Sequence, residues 1–214
     1  MLKKSITSLI LAGGNSTRMG KDKALLKING ETFLSKICNI ALECSDLVYV
    51  ITHRKEIYQN ILPQGCQIIH EKSLFGESLP HGALLGFIQG LRKIESEWVL
   101  LLACDLPFLS SDEVKKWLES LDNISPRTLA LLPKNNNRWE ALSGFYHSSC
   151  LPLLEKYIRQ GDRSFQKWLN INLVQELPLS NSEILLNCNT PEDYKKITKQ
   201  IYYNNPALIN DKNI

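Results

Sequence analysis

The feature that most constrains this chain is an apolar run, Ile6 to Leu11, that empties directly into Ala12-Gly13-Gly14-Asn15-Ser16-Thr17-Arg18-Met19-Gly20-Lys21-Asp22-Lys23. The run reads as a strand, and the segment after it is a phosphate cradle in outline. Gly13 and Gly14 can adopt positive φ and bring backbone close to a ligand where a side chain would block approach. Their N–H groups, with Arg18, Lys21 and Lys23 nearby, can face the oxygens of a di- or triphosphate. The loop is not a Walker loop, because Asn15 to Met19 separate Gly14 from Gly20 and Lys21-Asp22 follows; the dinucleotide fingerprint is also absent.

With 214 residues the chain has the length of one ordinary domain able to bury a substantial core. A net charge of +3 is too small to argue for a nucleic-acid or membrane partner, and no apolar stretch is long enough to span a bilayer. Met1-Leu2-Lys3-Lys4 has the look of a leader, but cleavage after the short apolar run would remove the strand on which the glycine loop depends. Cys38, Cys44, Cys66, Cys104, Cys150 and Cys188 are scattered without a Cys-x-x-Cys pair. That spacing favours free thiols in a reducing cytoplasm over a disulfide framework or a zinc site.

Apolar runs alternate with helical patterns, the signal of βαβ units and a largely parallel sheet. Strands are expected at Ile6–Leu11, Leu47–Thr52, Cys66–His70, Trp98–Ala103 and Thr128–Leu132. Helices are expected at Thr32 to Glu43, at Gly82 to Ile94, and after a capping-box pattern at Ser110-Ser111-Asp112-Glu113. Further on, Trp139 to Tyr146 reads as a strand, Cys150 to Arg159 and Arg163 to Leu169 as helices, and Leu173 to Leu177 and Ile184 to Asn187 as short strands. A closing helix should start with Thr190 as cap and Pro191 at its first position. The fold expected is α/β, a three-layer Rossmann-like arrangement on a mostly parallel central sheet. Residues 1–203 form one domain on this reading, with a nucleotide-binding half over about 1–110 and an acceptor half over about 111–203; the Asn-rich tail 204–214 is expected to be disordered.

A second constellation is Trp98-Val99-Leu100-Leu101-Leu102-Ala103-Cys104-Asp105-Leu106-Pro107-Phe108. A run that apolar is a central strand covered on both faces. Asp105, placed where it ends, lies at the carboxyl edge of the sheet, where open α/β folds keep their ligands. One carboxylate there suits Mg²⁺, which takes one or two carboxylates together with phosphate oxygens. The alternative is Asp105 as a turn cap. His53, His70, His81 and His147 lack metal-ligand spacing and read as structural or surface groups.

The segment Leu11 to Lys23, continued by Ala24-Leu25-Leu26, resembles the signature of nucleotidyltransferases that couple a nucleoside triphosphate to a phosphorylated acceptor. Its Ala-Gly-Gly and Gly-x-Asp-Lys-Ala-Leu-Leu parts are most similar to the molybdenum cofactor guanylyltransferase (MobA) family. That resemblance implies transfer of GMP from GTP to the phosphate of molybdopterin or molybdenum-molybdopterin. It implies nucleotide contacts from Leu11, Ala12, Gly13, Gly14 and Lys23, catalytic roles for Arg18 and Lys23, and Asp105 as nucleotide and Mg²⁺ ligand. His81-Gly82-Ala83-Leu84-Leu85-Gly86 resembles the turn and helix start near the nucleobase, with Ala83 where proline is usual. Glu71, or Thr52, falls where the base would be contacted, and the asparagine that family members carry after the second strand has no match.

On the acceptor side, Arg138-Trp139-Glu140-Ala141-Leu142 and Gly161-Asp162-Arg163-Ser164-Phe165 resemble segments facing the pterin, and Asn187-Cys188-Asn189-Thr190-Pro191 resembles the segment that closes the site. Arg163, Asn187 and Asn189 are the acceptor-binding candidates implied. The resemblance runs from about Ser8 to Ile197. Other molybdenum-cofactor biosynthesis proteins and recipient molybdoenzymes would be further partners. Three alternatives remain open: a cytidylyltransferase for the same pterin, a sugar-phosphate nucleotidyltransferase, and a carrier that binds GTP or molybdopterin without turnover.

Overall fold

The computed structural model describes residues 5–14, 18–72 and 82–204. Its main elements are β1 (Ile6–Leu11), α1 (Phe33–Cys44), β2 (Leu47–Thr52), β3 (Cys66–His70), α2 (Ala83–Leu91), β4 (Trp98–Ala103), α3 (Ser111–Ser120), β5 (Ala130–Leu132), β6 (Ser143–His147), α4 (Cys150–Arg159), α5 (Phe165–Asn170), β7 (Val174–Glu176) and α6 (Pro191–Asn204). Among the described residues, seven strands form the central sheet in the order β7-β5-β6-β4-β1-β2-β3. All neighbours run parallel except β6, which is antiparallel to both β4 and β5.

Alternation along the central strands explains the layers. Successive side chains of a strand point to opposite faces, so a strand covered on both sides must be apolar throughout. In β4 every residue is buried. Leu100 and Leu102 join Ile10, Val48 and Val50 against Leu34 and Ile37 of α1 and Val114 and Trp117 of α3. Val99 and Leu101 join Leu9 and Ile51 against α2, α4 and α5 on the other face. Helix α2 lies close to the sheet because Gly90 has no side chain. A Cβ there would sit 2.2 Å from Ile51 Cδ1 and 2.6 Å from Leu9 Cδ2.

Helix starts follow the sequence chemistry. Thr32 caps α1 by accepting from the Ser35 N–H at 3.1 Å, and Ser110 caps α3 by accepting from the Glu113 N–H at 3.3 Å. The box at Ser110 is only half formed. Buried Glu113 instead accepts from Trp117 Nε1–H at 3.0 Å and from the Ser180 N–H at 3.0 Å, tying α3 to the segment before the last helix. At α6 the reciprocal pattern is complete, with Asp193 in the acidic role. Thr190 Oγ1 accepts from the Asp193 N–H, and Asp193 Oδ2 accepts from the N–H groups of Asn189 and Thr190.

Three expected elements differ. The segment Ile184 to Asn187 is not a strand; Ser182–Leu185 is a 3₁₀ turn capped by Asn181, whose side chain accepts from the Glu183 N–H and competes with an extended ladder. The strand expected over Thr128–Leu132 is confined to Ala130–Leu132. Trp139 to Tyr146 splits into a short ladder strand, Arg138–Trp139, and β6. The break follows from Asn136 and Asn137 at φ 48° and 61°, which fold 134–139 back on itself as a tight hairpin before the chain rejoins the sheet. Asn204 is still helical, and the rest of the tail expected to be disordered lies outside the described residues.

Candidate active site

The direction of the sheet reverses around β1. From β1 the chain steps to β2 and β3 on one side, whereas β4 lies on the other. This is a topological switch point, and the crevice beyond the carboxyl ends of such strands is where open α/β sheets bind ligands. Register makes the crevice specific: Leu11 stands beside Ala103 and beside Ile51, so the loops after β1, β2 and β4 open side by side.

The loop after β1 leaves under tight control. The Ala12 N–H donates to the Ile51 carbonyl at 3.0 Å. Gly13 then takes φ 126°, and a Cβ there would fall 3.0 Å from Thr52 Oγ1 and 3.2 Å from His53 Nδ1. Only glycine meets both demands. Gly14 departs from expectation, since it is not in the positive-φ region and a Cβ there would meet no atom within 4 Å. Asn15, Ser16 and Thr17 lie outside the described residues. Past them, Asp22 Oδ1 accepts from the Ala24 N–H at 3.1 Å and starts a 3₁₀ turn over Lys23–Leu25.

That turn aims Lys23 across the crevice. Its Nζ donates to Asp105 Oδ2 at 2.9 Å and to Asn189 Oδ1 at 2.6 Å. Asp105 follows β4 and Asn189 precedes α6, so three distant segments meet at one ammonium. The loop carrying Asp105 is itself held: the Cys188 N–H donates to the Asp105 carbonyl at 3.1 Å, and Lys36 Nζ donates to the Pro107 carbonyl. Burial pushes the Lys36 ammonium below its ordinary pKa, with nearby Glu31 opposing.

Two clefts meet here. The first, of about 340 Å³, is lined by Leu11, Ala12, Gly13, Gly14, Arg18 and Lys23, and by Glu71, Gly82, Gly86 and Asp105 among others. Its far wall is apolar, from Leu11, Ile51, Ala83 and Gly86, and carries the buried carboxylate of Glu71. Glu71 Oε2 lies 3.7 Å from His53 Nδ1, and that nitrogen is buried with no hydrogen-bond partner among the described residues. Thr52, the other residue considered for base contact, is fully buried; its Oγ1 accepts from the Arg54 N–H at 2.9 Å, and it does not line the cleft. His81 lies outside the described residues.

The second cleft, of about 500 Å³, shares Ala103, Asp105, Leu142 and Asn189 with the first. It continues along the 134–139 hairpin and is lined by Arg138, Trp139, Glu140, Gln166 and Asn187. Gln166 holds the hairpin by its backbone, accepting from the Trp139 N–H at 3.3 Å and donating to the Trp139 carbonyl at 2.5 Å. Lys134 Nζ stacks 4.2 Å from the Trp139 ring centre. Desolvation raises the Glu140 carboxyl above its usual range, with Asn135 and Arg138 opposing.

The structure therefore brings together Leu11, Ala12, Gly13, Gly14, Arg18, Lys23, Asp105 and Asn189 at one cleft, with Asn187 in the adjoining one. Arg163 lines neither cleft; its Nη1 donates to the carbonyls of Ile158 and Asp162. Sequence reasoning gave no role to Asp22, Arg54, Tyr58 or Gln166. Asp22 lay inside the glycine-loop motif, but its partners carry no local signal.

A Gly-bearing, lysine-containing loop facing an aspartate across the switch point of a parallel sheet is the class of α/β ligand cleft that the nucleotidyltransferase resemblance leads one to expect. Residues 8–195 match the family model "MobA-like NTP transferase domain", and the chain belongs to that family. It is 47% identical over 189 residues to a protein from Nostoc sp. named "Probable molybdenum cofactor guanylyltransferase", covering 88% of each chain. It is 39% identical over 193 residues to a protein of the same name from Synechococcus elongatus, covering 90% of this chain and 98% of that one. The fold matches that of molybdopterin-guanine dinucleotide biosynthesis protein A from Archaeoglobus fulgidus, with a TM-score of 0.72 at 21% identity over 92% of this chain and 99% of that one.

Proposed function

We propose that this protein is a molybdenum cofactor guanylyltransferase, transferring GMP from GTP to the terminal phosphate of molybdopterin or its molybdenum-loaded form. The observation that carries the reading is the junction of the two clefts, where the Lys23 ammonium donates to both Asp105 and Asn189. A nucleotide in the first cleft and a phosphorylated acceptor in the second would meet at that point. An oxygen of the acceptor phosphate attacks the α-phosphorus of GTP. The bond from that phosphorus to the α–β bridging oxygen breaks, and pyrophosphate leaves with the electron pair.

The acceptor is already an anion, so no strong general base is required; the barrier lies in bringing anions together. Lys23 exchanges a carboxylate oxygen for phosphate oxygens and, with Arg18, offsets charge on the triphosphate. The Gly13-Gly14 backbone holds the phosphates where a side chain would exclude them. Asn189 orients Lys23 and faces the acceptor, and Asn187 offers an uncharged donor and acceptor to it.

Asp105 is a suitable Mg²⁺ ligand. It lines both clefts, and Mg²⁺ takes one or two carboxylates together with phosphate oxygens and water. Bound there, Mg²⁺ would supply charge neutralisation for the triphosphate and the departing pyrophosphate.

Glu71 favours guanine. A carboxylate accepts two hydrogen bonds side by side, and guanine alone among the four bases offers N1–H and N2–H₂ as adjacent donors. This argues against the cytidylyl alternative, because cytosine would set an acceptor nitrogen against the carboxylate. On this reading residues 1–203 work as one domain in the cytoplasm, and recipient molybdoenzymes consume the product. No helix among the described residues is long and apolar enough to cross a membrane.

The test is pyrophosphate release by the purified protein with Mg²⁺ and molybdopterin, comparing GTP, CTP, ATP and UTP. Release with GTP alone is expected. Release with CTP alone would retain the mechanism and overturn the substrate; tight GTP binding without any release would favour a carrier.

A further inference from the structure

Asp22 is adjacent to Lys23 and lines the first cleft, yet its carboxylate is turned to other work. Oδ1 accepts from the Ala24 N–H at 3.1 Å. Oδ2 accepts from Arg54 Nη1 at 2.8 Å and from the Tyr58 hydroxyl at 2.8 Å. Both partners come from the segment after β2. Tyr58 is fully buried, and burial, with Asp22 as its hydrogen-bond partner, pushes its hydroxyl well above the usual tyrosine pKa, so it stays a donor. Arg54 is held at its root, where its backbone N–H donates to the Thr52 hydroxyl.

We propose that Asp22, clamped by Arg54 and Tyr58, is a positioning residue that locks the 3₁₀ turn and thereby fixes the Lys23 ammonium between Asp105 and Asn189. Three reasons support this over a metal-binding or purely structural role. Three donors occupy the carboxylate, and two of them are a cation and a buried hydroxyl, so little acceptor capacity faces the cleft. Two of the three members are shielded, with Tyr58 fully buried and the Asp22 side chain 10% exposed, while Arg54 is 33% exposed, so the Tyr58 hydroxyl is the partner most costly to lose. The turn that it caps is three residues long and begins at Lys23 itself, so any loosening reaches that side chain directly. The consequence for catalysis rests on the guanylyl-transfer reading; the consequence for Lys23 geometry does not.

The experiment compares Tyr58→Phe and Asp22→Ala with the parent protein. Tyr58→Phe keeps the buried ring and removes one donor; Asp22→Ala removes the cap and both partners. Circular dichroism and thermal melts establish which variants fold. Lys23 is then labelled in the folded proteins with an amine-acylating reagent, and its rate is read by mass spectrometry against that of Lys115. Labelling of Lys23 should rise about threefold or more in Asp22→Ala and less in Tyr58→Phe, because an ammonium released from partners is more often solvent-exposed. In the pyrophosphate assay kcat should fall about ten- to a hundredfold in Asp22→Ala with a much smaller change in KM, as expected of a misplaced catalytic group.

Unchanged Lys23 labelling in the folded variants overturns the proposal whatever happens to turnover. A change in KM alone also overturns it. If labelling responds as expected while the parent protein releases no pyrophosphate, the positioning role stands and the guanylyl-transfer reading falls.

Discussion

Lys23 Nζ lies 2.9 Å from Asp105 Oδ2, across 82 residues of chain, with the lysine side chain 18% and the aspartate side chain 14% exposed. A pair so shielded is screened less than a surface ion pair, and each group would be costly to leave without the other. Each also has a second duty in the proposed reaction, Lys23 toward phosphate and Asp105 toward Mg²⁺.

Lys23→Ala is therefore expected to lower kcat by about a hundred- to a thousandfold, the scale of losing one well-placed electrostatic stabiliser. The fold should persist, because Lys23 sits at the rim of the crevice and not in the core. Steady-state pyrophosphate release and a thermal melt check the two halves. Near-parental turnover would remove Lys23 from the mechanism.

Chelation of divalent cations should abolish turnover and leave the melting temperature unchanged in nucleotide-free protein. The ion in the proposed reaction would be held by Asp105 together with phosphate oxygens, so without nucleotide the fold does not lean on it. A large drop in melting temperature on adding EDTA would contradict this.

Glu71→Gln tests base selection. The amide presents one acceptor and one donor in place of two acceptors, so it opposes one of guanine's adjacent donors. GTP should lose about ten- to a hundredfold in kcat/KM, while the other nucleotides change little. Competition between GTP and ATP in one reaction reads the ratio, and an unchanged ratio would place base recognition elsewhere.

Gly144→Ala should destabilise the protein without touching the site. The glycine lies in β6, and a Cβ would fall 2.5 Å from the Leu131 carbonyl oxygen, a backbone atom of the paired strand. The strand cannot yield as a side chain would. A cost of about 1–3 kcal/mol is expected, visible in urea denaturation.

Acid stability should depend on Glu113. Burial acts to raise its pKa, but the hydrogen bonds from Ser180 and Trp117, with Lys116 nearby, outweigh it and hold the group below its ordinary value. A depressed folded pKa means that the stabilisation is present above the unfolded value of about 4.3 and is lost as pH falls through the folded one. Melting temperature against pH should therefore fall less steeply below about pH 4 in Glu113→Gln than in the parent. Parallel curves would show that other carboxylates govern acid unfolding.

Legibility tracked how local each signal was. Strands β1 to β4 fall where the apolar runs placed them: β1, β2 and β4 each bury four to six residues between turn signals, which admits few alternatives, and β3, at the sheet edge with none of its residues fully buried, still carries a short apolar stretch between such signals. Asp105 was legible for the same reason, as a polar residue ending the most apolar run. Segment 184–187 was misread because its apolar residues pack as a 3₁₀ turn under Asn181, a choice made by side-chain capping rather than by periodicity. The Ser110 box was half right because Trp117 and Ser180 compete for Glu113.

The sequence by itself determined the class of fold, the glycine-bearing strand-loop motif at the crevice and the carboxylate opposite it. These depend on residues within a few positions of one another, where periodicity, glycine conformation and turn chemistry act directly. Only the tertiary structure decided that Asn189 would accept from Lys23 across 166 residues, that Asp22 would face Arg54 and Tyr58, and that Arg163 would line neither cleft. The register of parallel β1 and β2 sets the Asp22 loop beside Arg54 and Tyr58, and the Cys188 N–H bond to the Asp105 carbonyl brings the segment of Asn189 to the loop after β4. No local pattern carries that register, because it is fixed by how whole strands and helices bury their apolar faces together.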